Sequence, residues 1–221
     1  SRFNQHKKST ITKKNRVIHM VGLEVAEIIG IIAFALSGFL VAVRDRLDLL
    51  GIFIASFLTA LGGGVLRDTV SDRIPFTFSH LLPTLLVIGV LILSILFKLH
   101  LKDSIEKNFY FIISDSIGLV SFSISGAFVG LMVDFNIFGV VMLGLATAVG
   151  GGVMRDILLN KVPVLLTSEL YGSVAIIVSI VVYVCDKLGF VGYIPLSLIF
   201  IFGLSFRLLA YYKRWHLPKI G

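Results

Sequence analysis

The stretch LGGGVLRDTV at residues 61–70 recurs as VGGGVMRDIL at residues 149–158. The same shift of 88 residues carries Glu27 onto Asp115, Gly30 onto Gly118, Phe34 onto Phe122 and Ser37 onto Ser125, and Gly51 onto Gly139, Thr59 onto Thr147 and Pro75 onto Pro163, without a gap. Self-similarity at one fixed period marks a duplicated structural unit, so each copy must fold to the same outline and pack against the other.

What the unit is made of follows from hydropathy. The chain is 57% apolar with a mean hydropathy of +0.98, well above soluble domains and in the range of polytopic membrane proteins. A bilayer core needs about 20 apolar residues per helix. Apolar runs at 24–43, 49–75, 80–99, 109–133, 137–163, 167–185 and 190–212 predict seven transmembrane helices. Each copy holds three of them, an odd number, so the second enters the membrane from the opposite side. The expected fold is an all-α integral membrane protein, a 3+3 inverted repeat plus one C-terminal helix. Its organisation is a basic, disordered N-terminal tail (1–20), a first three-helix repeat (21–107), a second, inverted repeat (108–187), and a seventh helix with a basic C-terminal tail (188–221).

Several chemistries find no support. Cys185 is the lone cysteine, and His6, His19, His80, His100 and His216 are scattered without ligand spacing, so no metal site is predicted. No nucleophile triad, catalytic carboxylate pair or phosphate loop appears, which predicts a protein that is not an enzyme and carries no cofactor. The net charge of +7 sits mainly between apolar runs and at the ends, the membrane pattern rather than a nucleic-acid footprint. Arg44, Arg46, Lys98, Lys102, Lys107, Lys161, Lys213, Arg214 and Lys219 fall on one side of the seven spans, against Arg73 and Lys187 on the other. The positive-inside rule then puts the C-terminus in the cytoplasm and the N-terminus outside the inner membrane, although the basic N-terminal tail argues the other way.

The glycine triplets Gly62, Gly63, Gly64 and Gly150, Gly151, Gly152 cost about 1 kcal/mol of helix propensity per residue. One reading is that spans 2 and 5 are kinked or unwound there, exposing backbone at the midplane toward a polar path. The other is that each helix ends at its glycines and leaves the Arg-Asp pair in a loop. Arg67, Asp68, Arg155 and Asp156 lie in or beside apolar spans, where each charge needs a partner or water. Neighbours on a helix do not face each other, so the expected neutralisation is across the repeats, Arg67 with Asp156 and Arg155 with Asp68. Such pairs would serve a pore or simply join the two halves. Glu27, Asp115, Ser37, Ser121 and Ser125 add polar groups to spans 1 and 4, suited to a pore lining or to close helix packing.

In its duplicated GGGVLRD and GGGVMRD motifs, followed by a seventh helix, the chain resembles the prokaryotic TRIC family of trimeric intracellular cation channels over about residues 22–212. The resemblance implies a homotrimer with one pore per protomer, lined by spans 1, 2, 4 and 5, bent at the six glycines, with Arg67, Asp68, Arg155 and Asp156 as charged pore residues. It implies passage of potassium and sodium ions in a lipid membrane. Two arginines near the midplane repel a cation unless both are neutralised. Unpaired, they suit the carboxylate of a small amino acid such as glycine, the alternative reading as a secondary transporter. A scaffold without transport needs only the packing glycines.

Overall fold

The structure is a computed structural model that describes residues 2–167, 170–190 and 192–215, with backbone only for residues 2–19 and residue 105. Its elements are α1 (Arg2–Arg44), α2 (Leu49–Val70), the short α3 (Phe76–Ser79), α4 (Leu82–Leu96), a 3-10 turn (Leu99–Leu101), α5 (Ser104–Met132), α6 (Ile137–Leu158), the short α7 (Val164–Thr167), α8 (Tyr171–Lys187) and α9 (Tyr193–Lys213). No strand occurs among the described residues.

Local chemistry explains where the helices begin and end. The Asp48 side chain caps α2 by accepting from Gly51 N at 2.7 Å, and 88 residues on, Asn136 caps α6 by accepting from Gly139 N at 2.9 Å. Helices α1, α2, α5 and α6 all stop at a residue with left-handed backbone: Arg46 (φ 58°), Asp72 (φ 53°), Asp134 (φ 57°) and Asn160 (φ 53°). In each, the next N–H reaches back to a carbonyl five residues earlier, as in Leu47 N to Ala42 O and Phe135 N to Gly130 O, closing a Schellman motif.

Five described helical stretches, Met20–Arg44, Leu49–Val70, Glu106–Met132, Ile137–Leu158 and Tyr193–Lys213, are long and apolar enough to cross a bilayer. Helix α4 has 15 residues and α8 has 17, so the spans expected at 80–99 and 167–185 are shorter than a full crossing of the hydrocarbon core at 1.5 Å per residue. Spans 49–75 and 137–163 also end early, at Val70 and Leu158, because the chain turns before Pro75 and Pro163 into α3 and α7. The basic stretch expected to be disordered over 1–20 is helical from Arg2 onward; no glycine or proline stands between Arg2 and Gly22 to stop α1. The expected basic tail beyond Trp215 lies outside the described residues.

Helices α1 and α5 form the centre. Their most apolar stretches are 72% and 83% buried, against 39%, 44% and 22% for α2, α6 and α9, which wrap around them. The two central helices touch through interlocking rings and glycines: a Cβ on Gly30 would stand 2.6 Å from the Phe122 ring, and one on Gly118 would run into Phe34. The rings themselves meet edge-on at 5.2 Å. Every partner in this contact has its counterpart 88 residues away. On the outside, Leu49, Leu50, Ile92, Leu93, Phe138, Ile194 and Ile201 are exposed, as lipid-facing residues are.

Candidate functional site

Helices α2 and α6 cross at the glycine triplets. A Cβ on Gly63 would collide with Thr147 O and one on Gly151 with Thr59 O, so the two backbones touch and the helices run antiparallel through the crossing. Helical structure continues unbroken across both triplets, and Arg67 and Arg155 stay inside their helices. Neither unwinding nor a glycine C-cap occurs there. The glycines remove the side chains that would hold two helices apart, the small-residue packing of membrane interfaces.

One to two turns beyond the crossing, each helix carries a buried arginine. Arg67 is 1% exposed. Its Nε donates to Asp68 Oδ1 at 2.9 Å, its Nη2 lies 2.7 Å from Glu27 Oε1 and 2.8 Å from Asp68 Oδ1, and its Nη1 donates to Ser125 Oγ at 2.5 Å. The other oxygen of Asp68 accepts from Phe76 N at 3.0 Å, holding the start of α3. In the second half, Arg155 Nε donates to Asp156 Oδ1 at 2.8 Å and Nη2 lies 2.7 Å from it, while Asp156 Oδ2 accepts from Val164 N at 2.9 Å at the start of α7.

The expected pairing across the repeats does not form; each arginine binds the aspartate beside it. Two physical reasons account for this. Along antiparallel helices Arg67 and Arg155 lie on opposite sides of the crossing, each about 9 Å from it, so neither reaches the other half's aspartate. Each aspartate is also pinned by a backbone N–H eight residues ahead, and the arginine side chain is long enough to fold back onto it.

The two clusters then diverge. Glu27 spans the gap to Arg67, whereas Asp115, one methylene shorter, accepts from Ser37 Oγ at 3.1 Å and is hydrogen-bonded by Tyr171. Arg155 Nη1 is buried and has no hydrogen-bond partner among the described residues. Arg207 of α9 reaches the same region, its guanidinium 5.0 Å from the centre of the Tyr171 ring. Glu27, Ser37, Asp115 and Ser125 are thus gathered with the arginines. Ser121 is not; it lines an apolar cavity of about 330 Å³ with Gly22, Val25, Ile124 and Tyr193. Tyr171 and Arg207 were not singled out in the sequence. A lone arginine inside the apolar run IPLSLIFIFGLSFRLLAYY marks a site by its cost alone, but nothing about Tyr171 stands out.

Glu27 also borders a cavity of about 270 Å³ lined by Glu24, Phe76 and His80. About 25 Å away along α1, a second cavity of about 470 Å³ opens between Arg44, Arg46, Lys107 and Asn108. The α2–α6 crossing is fully buried at Thr59, Ala60, Thr147 and Ala148.

The family described as Glycine transporter matches residues 24–98 and 112–187. UPF0126 membrane protein YvgT of Bacillus subtilis is 33% identical over 200 residues, 89% of this chain and 95% of that one. The chain belongs to both families. A further UPF0126 membrane protein, from Deinococcus radiodurans, is 36% identical over 160 residues, 70% of this chain and 72% of its own length. Among solved structures, this UPF0126 protein is similar to a chain described under conductance through TRIC cation channels, 34% identical with a TM-score of 0.77 over 90% of this chain and 97% of that one. It is similar as well to a prokaryotic TRIC channel in 0.5 M KCl, at 28% identity and a TM-score of 0.80 over 88% and 98%. The TRIC trimeric intracellular cation channel orthologue from Rhodobacter sphaeroides gives 27% and 0.78 over 87% and 98%. With its apolar helices and these relatives, the chain is a multi-pass membrane protein with the TRIC channel fold.

Proposed function

We propose that this protein is a channel for monovalent cations, chiefly potassium with sodium, with one path per protomer between two inverted halves of a homotrimer. The observation that carries the reading is the likeness to TRIC cation channels over nine-tenths of the chain. The buried clusters remove its main electrostatic objection. Arg67 is matched by two carboxylates, Glu27 and Asp68, and Arg155 by Asp156, so neither stands as a bare positive barrier. The inverted repeat is supported by reciprocal contacts, Gly30 on Phe122 with Phe34 on Gly118, and Gly63 on Thr147 with Thr59 on Gly151, the pattern a two-fold axis produces. The two cavities are its mouths, and the path is closed at the packed crossing; bending of α2 and α6 at the triplets opens it. The seven-span count, the inner-membrane location and the cytoplasmic C-terminus belong to the same proposal, supported by the basic side chains at one end of the helices.

A second reading, transport of a small amino acid, is favoured by the unpartnered Arg155 Nη1, a buried N–H suited to a carboxylate. Planar-bilayer recording in a potassium gradient separates the two. Discrete currents reversing near the potassium potential, altered by Arg67→Ala or Arg155→Ala, support the channel. Silent bilayers with saturable glycine or alanine uptake into liposomes replace it with the transporter.

A further inference from the structure

The two cavities carry opposite charge. The one beside Glu27 is lined by Glu24, Glu27 and His80 and by no lysine or arginine. Glu24 is exposed and forms no ion pair among the described residues. Behind it Arg67 meets two carboxylates, Glu27 and Asp68, so the buried cluster has one formal negative charge in excess. Arg73, at the same end, stands outside the lining. Arg16 is the nearest lysine or arginine before Glu24 on α1, about 12 Å back along the axis and past the screening length of about 10 Å in 0.1 M salt.

The other cavity is lined by Arg44, Arg46 and Lys107 and by no carboxylate. Carboxylates nearby are already engaged. Asp45 holds Lys161 at 2.5 Å, Glu106 holds Lys102 at 3.4 Å, and Asp48 and Asp103 cap α2 and α5. Among the described residues Arg44, Arg46 and Lys107 form no ion pair. Charge of one sign around a cleft raises the local concentration of the counter-ion and lowers that of an ion of like charge. In a cation path between these two mouths, entry is favoured at one end and hindered at the other.

We propose that the path rectifies: at equal and opposite voltages more cation current flows from the Glu24 end to the Arg46 end than back, and Glu24, Arg46 and Lys107 set the difference. This rests on the channel reading above. The larger current is limited by entry past Glu24, the smaller by entry past Arg46 and Lys107.

Single-channel recording of the purified full chain in symmetric KCl tests this. A unit charge about 8 Å from the entering ion changes its local concentration about 1.5-fold in about 0.1 M salt. With Glu24 and the three cations together, the two wild-type currents are expected to differ about fivefold there, and less than about 1.5-fold in 1 M KCl, where the screening length is about 3 Å. Arg46→Gln/Lys107→Gln is expected to raise the smaller current about twofold and leave the larger unchanged, and Glu24→Gln to lower the larger alone by about 1.5-fold. Lys98→Gln/Lys213→Gln, which removes equal charge outside the cavity, is expected to change either current less than about 1.3-fold. Equal currents in both directions from a cation-selective wild type overturn the rectification and leave the channel standing. The rectification is likewise overturned if Arg46→Gln/Lys107→Gln acts on the larger current, which puts the barrier at the wrong end, or if Lys98→Gln/Lys213→Gln matches its effect. Silent bilayers overturn the channel reading itself, and the rectification with it.

Discussion

Alanine substitutions within one glycine triplet are expected to act in opposite directions. A methyl group on Gly63 meets Thr147 O, and one on Gly151 meets Thr59 O, in both cases backbone that has no rotamer to escape into. A methyl on Gly64 meets only Glu27 Oε1 at 3.6 Å, and on Gly152 only Arg155 Nη2 at 3.8 Å, ordinary van der Waals contacts. Overpacking a closed contact costs about 1–3 kcal/mol, while replacing a mid-helix glycine by alanine gains about 1 kcal/mol of helix propensity. Gly63→Ala and Gly151→Ala should therefore destabilise by up to about 2 kcal/mol net. Gly64→Ala and Gly152→Ala should be neutral or stabilise by up to about 1 kcal/mol. For a chain of this length each kcal/mol moves the unfolding midpoint by about 2–4 °C, a difference readable in detergent by thermal unfolding of the four single variants. The double variant Gly63→Ala/Gly151→Ala should cost less than the sum of its singles, because the first methyl already separates the helices at the shared crossing. If all four singles destabilise alike, the triplets act through backbone freedom and the close-crossing account is wrong.

Further outcomes follow from the buried clusters and caps. Arg67→Gln should destabilise more than Arg155→Gln, by about 2 kcal/mol in chemical unfolding, since it strands Glu27 and Ser125 as well as Asp68, whereas Arg155 is held by Asp156 alone. Glu27→Gln, which breaks a buried ion pair, should cost more than Ser37→Ala, which removes one neutral hydrogen bond worth about 1 kcal/mol; equal losses in the same unfolding assay would contradict the pairing. Asp48→Ala and Asn136→Ala each delete a helix cap and should each lower stability by about 1 kcal/mol, with additive effects because the caps belong to different helices.

Much of this arrangement is legible in the sequence for a specific reason. A duplicated chain repeats the residues it cannot change, and those that recur at the 88-residue shift are the ones found at the crossings and clusters: Gly63 with Gly151, Thr59 with Thr147, Arg67 with Arg155, Glu27 with Asp115, Ser37 with Ser125. Pairing was not legible. Which carboxylate a guanidinium meets depends on helix rotation and on groups with no sequence signature, here the N–H of Phe76 and of Val164. What the triplets do was left open for a related cause: glycine weakens a helix and also lets another helix approach, and only the position of the partner decides which property is used. The difference between Glu27 and Asp115 looks conservative on paper, yet one methylene separates a carboxylate that reaches its arginine from one bonded to a serine and a tyrosine.

The carboxylate of Asp68 has a mechanical consequence. One of its oxygens grips the guanidinium of Arg67 and the other the first N–H of α3, a four-residue helix at the end of the bundle whose Phe78 is 75% exposed. The carboxylate is a rigid planar group, so a pull on α3 cannot be absorbed between the two bonds. Asp68 is therefore a coupling rod: a displacement of α3 is passed to the buried arginine through a single carboxylate.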